Sequence, residues 1–190
     1  MKNLSKIKFI VALIALTSFT ISCDNDDDDL MPDNTITGVA QTNANLTILV
    51  QALVRAELAS TLQGVGPYTV FAPTNKAFED FLKTTTYATI NDVPKETLKQ
   101  ILLNHVVSGN VKSTDLSTGY IKTLAKGTAS TTNNLSMFVN TASGVKLNGV
   151  AMVTTANVMA SNGVIHIVDN VIGLPTIVTH ATANPNFTSL

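Results

Sequence analysis

The chain is poor in the residues that usually carry cross-links, metal sites and nucleic-acid contacts. Its 190 residues include one cysteine and no tryptophan, and only 13% of them are charged. A single cysteine excludes an internal disulfide and the cysteine clusters of structural zinc sites. The formal net charge of -1 leaves no basic footprint, so the sequence predicts no nucleic-acid partner.

The N-terminus has the layout of a secretory signal peptide. Lys2, Lys6 and Lys8 precede an apolar run over residues 9–21. A membrane-spanning helix needs about 20 apolar residues, so this run is too short to remain as a span. A basic start followed by a short apolar segment therefore predicts an exported protein from which residues 1–22 are removed.

The only cysteine, Cys23, lies directly after that apolar run. The stretch Thr20-Ile21-Ser22-Cys23 resembles the lipobox of bacterial lipoproteins, in which the cysteine becomes the first mature residue and carries acyl chains. Ser22 is the small residue required before the cut, whereas Thr20 stands where leucine is more usual. We therefore expect a lipid on Cys23 to hold the protein on a membrane. An ordinary secretory signal with an incidental cysteine is the alternative.

An acidic tract at residues 24–29 follows the cysteine. Its aspartates have the first spacings of a calcium loop, but Asp29 replaces the required glycine and Thr35 replaces the required glutamate. Like charges at this density repel and stay extended, so residues 23–34 are interpreted as a tether. The tract also resembles the surface-export signal of lipoproteins in the Bacteroidetes group. This favours an outer-membrane lipoprotein exposed at the cell surface, with the periplasmic face as the alternative.

Residues 35–175 have the size of one domain. They contain 9 Lys and Arg residues and 7 Asp and Glu residues, which gives a net charge of 9 − 7 = +2.

The first half of this domain has helical periodicity, because apolar residues recur at helical spacing over residues 46–58. A buried strand is predicted at residues 68–71. Thr74 and Asp92 are each placed to cap a further helix.

The second half of the domain is rich in short β-branched runs. Asn148-Gly149 and Asn162-Gly163 lie between or before such runs and are strong turn signals. Helices followed by strands predict an α+β fold. The predicted strands cover residues 120–124, 135–139, 145–147, 150–154 and 164–168.

The tail, residues 176–190, repeats the start of the domain. Laid on residues 35–49 at an offset of 141, it is identical at seven of fifteen positions. The offset is about one domain length, so we interpret the tail as the start of a second, truncated copy. A chance match in sequence rich in threonine, asparagine and alanine is the alternative.

Three segments in register resemble the signatures of fasciclin-like domains. They are YTVFAPTNKAF at residues 68–78, the helix and strand around residues 98–109, and NGVIHIVD at residues 162–169. The resemblance covers residues 35–175 and implies a wedge-like β-sandwich of two sheets flanked by helices. It also implies a secreted or surface-anchored protein, often with tandem domains, that acts in cell adhesion.

The domain contains no recognisable catalytic motif. His105 and His166 are its two histidines, and both lie in or beside apolar segments, which predicts a structural role. Asp169 follows His166 by three residues in a strand, so alternation points the two side chains to opposite faces. Nucleophile, zinc and phosphate-loop motifs do not occur in the sequence. We therefore expect no enzyme activity, no cofactor and no metal site.

The resemblance implies two recognition sites, and this sequence departs from both. An Asp-Ile pair that contacts integrins in some animal relatives corresponds here to Asn157-Val158, which lacks the carboxylate. A Tyr-His pair of the central segment corresponds to Asn104-His105. Without tryptophan, a sugar-stacking platform would depend on tyrosine. The candidate binding residues are His105, Asn157, Val158, Tyr87 and Tyr120.

These observations predict a non-enzymatic cell-surface adhesion or binding module, anchored through Cys23, with a protein or polysaccharide ligand at the cell surface. A glycan- or small-ligand-binding surface lipoprotein that serves uptake is the alternative. A hydrolase is a third hypothesis, and it lacks the converging polar groups that such chemistry needs.

Overall fold

The structure, a computed structural model, describes residues 33–127, 130 and 132–187. The predicted signal peptide, Cys23 and the acidic tract lie outside the described residues, and the lipid anchor therefore stays a prediction. Within the described part of the chain, no helix combines the length and the apolar character needed to cross a membrane.

Helices form most of the first half of the described chain. Five α-helices precede residue 104, and a sixth follows the last strand. Their bounds are α1 (Ile36–Gln41), α2 (Thr47–Arg55), α3 (Ala59–Gln63), α4 (Asn75–Lys83), α5 (Lys95–Leu103) and α6 (Ile177–Ala183). Short 3₁₀ helices lie at Ala44–Leu46, Ile90–Asp92 and Pro185–Phe187.

One of the two predicted helix caps is confirmed and the other is wrong. Thr74 caps α4, and its Oγ1 accepts from the Ala77 backbone N–H at 3.2 Å. Asp92 does not cap α5, which begins after Pro94. Its carboxylate instead accepts from the Thr89 backbone N–H at 2.8 Å and closes a capping box around the preceding 3₁₀ helix. A threonine three residues upstream is the better-placed partner for this aspartate.

Seven strands form one continuous hydrogen-bonded series in the order β2-β1-β7-β6-β5-β4-β3. Strands β1 and β7 are parallel, and the other neighbouring pairs are antiparallel. The bounds are β1 (Tyr68–Pro73), β2 (Val106–Ser108), β3 (Gly119–Lys122), β4 (Ser136–Asn140), β5 (Lys146–Leu147), β6 (Ala151–Ala160) and β7 (Gly163–Val168). The predicted α+β fold is confirmed. Its two sheet portions share the long strand β6, which pairs with β5 at its start and with β7 along the rest.

The core consists of two apolar clusters on opposite faces of β1 and β7. Val70 and Ile165 contribute to the first cluster, which the helices cover. Phe71 and Val168 point the other way, because successive strand residues alternate between faces, and they join the second cluster. The second cluster also contains Met137, Val139 and Leu147.

The predicted Asn-Gly turn between β5 and β6 is present. Asn148 and Gly149 have φ values of 47° and 71°. The Val150 backbone N–H donates to the Leu147 carbonyl at 3.0 Å across the turn. Two consecutive positive φ values are the mark of a type I′ hairpin turn, for which Asn-Gly is the preferred sequence.

Candidate functional site

The candidate binding residues lie on separate elements and do not form one pocket. His105 directly precedes β2, Tyr120 lies in β3, and Asn157 and Val158 lie in β6. Tyr87 follows α4 and lines a surface depression different from the one that Tyr120 lines. Each candidate is therefore described with its own neighbours.

Asn157 lies in a bulge of β6. The pairing between β6 and β7 changes register twice, between Val153 and Thr155 and again between Thr155 and Val158. Asn157 has a φ of 61°, in the left-handed region that asparagine tolerates better than most residues. The bulge leaves residues 154–157 exposed to solvent. It also takes the Asn157 backbone N–H out of the regular ladder.

His166 of β7 supplies the missing partner for this bulge. Its Nδ1 accepts from the Asn157 backbone N–H at 3.3 Å, and its Nε2–H donates to the Val111 carbonyl at 2.9 Å. The imidazole stacks on Phe71 with ring centroids 5.4 Å apart. Burial lowers the pKa of His166, and the bond to Val111 offsets this only in part. The neutral ring thus joins β6 to the loop after β2.

The side chain of Asn157 makes a second connection to that loop. Its Oδ1 accepts from the Ser113 backbone N–H at 2.9 Å, and its Nδ2 donates to Ser113 Oγ at 2.8 Å. Buried Thr69 holds the base of the loop, since its Oγ1 donates to the Gly109 carbonyl and accepts from the Val111 N–H. Residues 154–157 and 112–115 consequently form one braced surface, which we call the bulge surface.

Val158 has a packing role. It is half-buried and contacts the first apolar cluster. Asn157, one position earlier, is exposed. The Asn157-Val158 pair thus presents one side chain outward and one inward.

His105 is enclosed in the interior, with 2% of its surface exposed. Its Nδ1–H donates to the Ile101 carbonyl at 2.8 Å, and its Nε2 accepts from the Ile172 backbone N–H at 2.9 Å. Burial lowers the pKa of His105 to about 4, with partial opposition from the bond to Ile101. Both ring nitrogens are engaged, so the side chain is not available to a ligand in this conformation.

The neighbour of His105 is also a buried brace. Asn104 Nδ2 donates to the Gly173 carbonyl at 3.0 Å, and its Oδ1 accepts from Thr123 Oγ1 at 3.2 Å. Together with the bond from His105 to Ile172, these contacts fasten the segment after β7 to the end of α5. The Asn104-His105 pair is therefore placed to stabilise the fold.

The two tyrosines have different environments. Tyr120 is half-exposed, and one side of its ring is covered by α6 and the residue that follows it. The His180 ring meets the Tyr120 ring edge-on, with centroids 5.5 Å apart, and Asn184 Nδ2 donates to the Tyr120 hydroxyl at 3.2 Å. Tyr87 is partly buried against the first apolar cluster. In the described part of the chain, Tyr87 shares its depression with no other aromatic residue, whereas Tyr120 and Phe187 line one open depression.

Sequence reasoning missed the residues that shape the bulge surface. Ser113 and Val111 lie 44 and 55 residues away from their partners Asn157 and His166. The one available signal was Thr69, a hydroxyl residue in an otherwise apolar strand, which indicates a buried hydrogen bond. Among the described residues, no group of three or more histidines, aspartates and glutamates is arranged to hold a metal ion.

The match to known families covers most of the domain just described. Residues 44–175 match the fasciclin domain. The chain belongs to this family. Fasciclin domains generally act as non-enzymatic adhesion modules, and the proteins that contain them are typically extracellular or secreted. The resemblance to fasciclin domains noted in the sequence is thus confirmed. Helix α1 precedes the matched range and buries Ile36 in the same core.

Relatives of this fasciclin domain occur in bacteria and animals. Protein sll1483 of Synechocystis sp. is 40% identical over 138 residues, which cover 73% of this chain and 72% of that protein. The transforming growth factor-beta-induced protein ig-h3 of Sus scrofa is 27% identical over 73% of this chain, but only 19% of its own length is matched. A solved pair of domains from the insect cell adhesion molecule fasciclin I is 19% identical, covers 71% of this chain and 48% of that one, and has a TM-score of 0.48.

Proposed function

We propose that the chain is an exported, non-enzymatic adhesion module held at the cell surface by a lipid on Cys23. The family supports this proposal, since fasciclin domains are associated with cell adhesion and binding in homologues. The observation that carries it is the bulge surface. Long-range hydrogen bonds from His166 and Ser113 hold this exposed ribbon in shape. A surface ordered before binding loses less conformational entropy when a partner docks.

The chemistry of the bulge surface indicates the kind of partner. Its outward groups are mainly hydroxyls, amides and backbone groups, with Lys112 and Asp115 supplying one charge of each sign. Such a surface suits a protein or polysaccharide that presents hydrogen-bonding groups. It offers little to a partner that depends on strong charge attraction or on a large apolar patch.

The histidines support a non-enzymatic role. Both ring nitrogens of His105 have backbone partners, and so do both ring nitrogens of His166. A general base needs a nitrogen within reach of a substrate proton. These two imidazoles are committed to bracing the fold, which favours binding over catalysis.

An attachment assay tests the bulge surface. Ala156→Arg places a long cation in the middle of the exposed ribbon, and we expect it to reduce attachment or aggregation of cells that depend on this protein. Val65→Arg is the matched control, because Val65 is 95% exposed in the loop before β1. Both variants should melt at the wild-type temperature. Attachment that is unchanged by Ala156→Arg, at equal surface display, would contradict the proposed surface.

Fractionation of cells tests the anchor separately. Cys23→Ser should move the protein from the membrane pellet to the soluble exported fraction, because the thioether that carries the acyl chains cannot form. Protease treatment of intact cells then separates the two faces of the outer membrane. A surface-exposed domain is cleaved, whereas a periplasmic one survives until the membrane is opened. Retention of Cys23→Ser on membranes would count against the lipid anchor.

We also infer that residues 176–190 begin a second fasciclin repeat. Helix α6 and the 3₁₀ helix after it occur at the same offset from α1 and its 3₁₀ helix, since 177 − 36 = 141 and 185 − 44 = 141. The two segments have the same secondary structure at the same offset, and this supports the repeat in addition to the sequence identity that first indicated it. Reading the transcript beyond codon 190 tests this directly. A stop codon at that point would contradict the second repeat and leave the adhesion proposal untouched.

A further inference from the structure

The last helix of the described chain repeats the first one in its capping details. Thr35 and Thr176 are the N-caps of α1 and α6, and each accepts at Oγ1 from the backbone N–H three residues later. Asn43 and Asn184 precede the two 3₁₀ helices. Each accepts at Oδ1 from the backbone N–H two residues later, at 3.0 Å in both cases. The two segments therefore have the same local conformation.

Their apolar residues have opposite environments. Ile36 and Leu46 are each 1% exposed in the first apolar cluster. Their counterparts Ile177 and Phe187 are 89% and 43% exposed. These two side chains flank an open depression of about 460 Å³, which Tyr120 also lines. Adjacent exposed apolar residues of this size mark a surface that another element covers.

The adjacent side of α6 is docked on the domain. Asn184 is buried, its Nδ2 donates to Tyr120 Oη at 3.2 Å, and the His180 ring lies on the Tyr120 ring. Ala183 packs on the turn between β5 and β6. A Cβ placed on Gly149 would lie 3.2 Å from Ala183 Cα, so a side chain there would require Ala183 to move away from the turn.

The docked side of α6 differs from the side that α1 buries. The counterparts of His180 and Ala183 are Val39 and Thr42, which are half-buried and exposed. In this domain Val39 packs against the edge of the first apolar cluster, and Thr42 lies outside it. Helix α6 can consequently dock on β3 and contribute to the core of a second repeat at the same time.

Two backbone groups of the first segment are bonded to asparagines of the signature segments. The Ile36 N–H donates to Asn162 Oδ1 at 2.9 Å, and the Ala44 carbonyl accepts from Asn75 Nδ2 at 2.9 Å. Among the described residues, no asparagine side chain accepts from the N–H of Ile177, the counterpart of Ile36. The matching signature asparagine of a second repeat would supply that bond.

We propose that α6 and its 3₁₀ helix form a shared joint between two fasciclin repeats. His180 and Asn184 fix the segment to Tyr120 of β3, and the neighbouring Ile177 and Phe187, which border the open depression beside Tyr120, enter the core of the next repeat. The inference rests on the second repeat proposed above, and it adds that the two repeats are held in a set orientation. Only Leu174 and Pro175 separate the fastened end of the first domain from the Thr176 cap, so no long flexible linker intervenes.

The core-forming side is tested by comparing two lengths of chain. In the native chain that contains the second repeat, Ile177→Asp should lower the melting temperature of the second repeat by about 10 °C, because it buries a charge in an apolar core. In the 190-residue chain the same variant should melt like wild type, since Ile177 is exposed there. Val65→Asp is the control for an exposed valine elsewhere. Equal behaviour of Ile177→Asp in both lengths would overturn the shared-core role.

The docked side is tested by measuring orientation. Tyr120→Ala and His180→Ala should leave both repeats folded and free them to reorient. This would be seen as a longer maximum dimension in small-angle scattering and as separate alignment tensors in residual dipolar couplings. Wild-type repeats that already tumble independently would overturn the joint. So would variants that keep the wild-type orientation.

A dimer of the 190-residue chain can be distinguished from the joint between repeats. If the 190-residue chain forms a dimer that Ile177→Asp dissociates, the exposed residues belong to an interface between copies, and the joint is wrong. Attachment assays on Ala156→Arg and fractionation of Cys23→Ser do not depend on this interface. The joint and the adhesion proposal can therefore fail separately.

Discussion

The backbone N–H of Asn157 donates to Nδ1 of His166, and the other nitrogen of the same imidazole reaches the carbonyl of Val111. One side chain of β7 thereby holds both the bulge of β6 and the loop that packs against it. The exposed bulge surface has its shape because this buried ring satisfies two backbone groups that the sheet leaves unpaired. The first prediction tests whether the hydrogen bonds of His166 hold the bulge surface in this shape.

His166→Phe should keep the stacking on Phe71 and remove both hydrogen bonds. Two backbone groups then lose their partners, and we expect the free energy of unfolding to fall by about 2 to 4 kcal/mol, measured by urea denaturation. Asn157→Gly is the comparison, because glycine accepts the positive φ and keeps the backbone N–H while it loses the two exposed bonds to Ser113. It should cost about 1 kcal/mol, less than His166→Phe. A His166→Phe variant as stable as wild type would show that the ring nitrogens do not brace the bulge.

Asn157→Val tests the backbone conformation of the bulge. A β-branched side chain is strained at a φ of 61°, so we expect a loss of about 2 kcal/mol beyond that of Asn157→Gly. Thermal unfolding of the three proteins measures the difference. Equal melting temperatures for the valine and glycine variants would mean that β6 can pass residue 157 without a positive φ.

Acid should destabilise the domain through His105. Its pKa is about 4 in the folded protein and near 6.5 in an unfolded chain. The folded protein holds the neutral ring, so protonation of His105 favours the unfolded chain. The stability that the neutral ring contributes is complete above pH 6.5 and is lost as the pH falls towards 4. The total loss is roughly 3 kcal/mol. Urea midpoints at pH 7, 5.5 and 4.5 measure it.

His105→Gln provides the comparison for this titration, because it removes the ionisable ring. Carboxylates such as Asp80 also titrate at low pH, and the informative quantity is the difference between wild type and variant. That difference should shrink as the pH falls. Parallel curves for the two proteins would exclude His105 as the acid-sensitive group.

Asn162 should be among the most sensitive polar positions. Its Oδ1 accepts from the Ile36 N–H, and its Nδ2 donates to the carbonyls of Leu62 and Gly64 at 2.7 and 2.8 Å. Asn162→Ala removes all three bonds, and we expect a loss of about 2 to 4 kcal/mol by urea denaturation. Asn91→Ala is an exposed control that should change stability by less than about 0.5 kcal/mol. Comparable losses for both variants would contradict a special role for Asn162.

The parts of the fold that were predictable from the sequence depend on neighbouring residues. The contacts that form the Thr74 cap and the Asn148-Gly149 turn lie within three or four residues of each other. The alternation of residues along the chain located the five strands from β3 to β7. The strand β6 runs to Ala160, beyond its predicted end. The Asp92 cap was wrong for an equally local reason, since Thr89 competes for the same carboxylate.

The bulge surface was not predictable in this way. Asn157 was singled out by its place in the family pattern, while its partner Ser113 lies 44 residues away and could be found only after the chain had folded. The other candidates show the same limit. One of the two hydrogen bonds of His105 depends on Ile172, 67 residues later, and the cover over Tyr120 depends on α6 and the residue after it.

The sequence by itself determined the family and the α+β class, because these follow from short motifs and from periodicity; the repeated tail stays a prediction. Tertiary structure alone decided which polar side chains face outward and which brace the interior, since a buried hydrogen bond forms only when distant segments are brought together. It also revealed that one repeated segment can be buried at Ile36 and exposed at Ile177. The same local pattern takes either environment, and the surface packed against it decides between them.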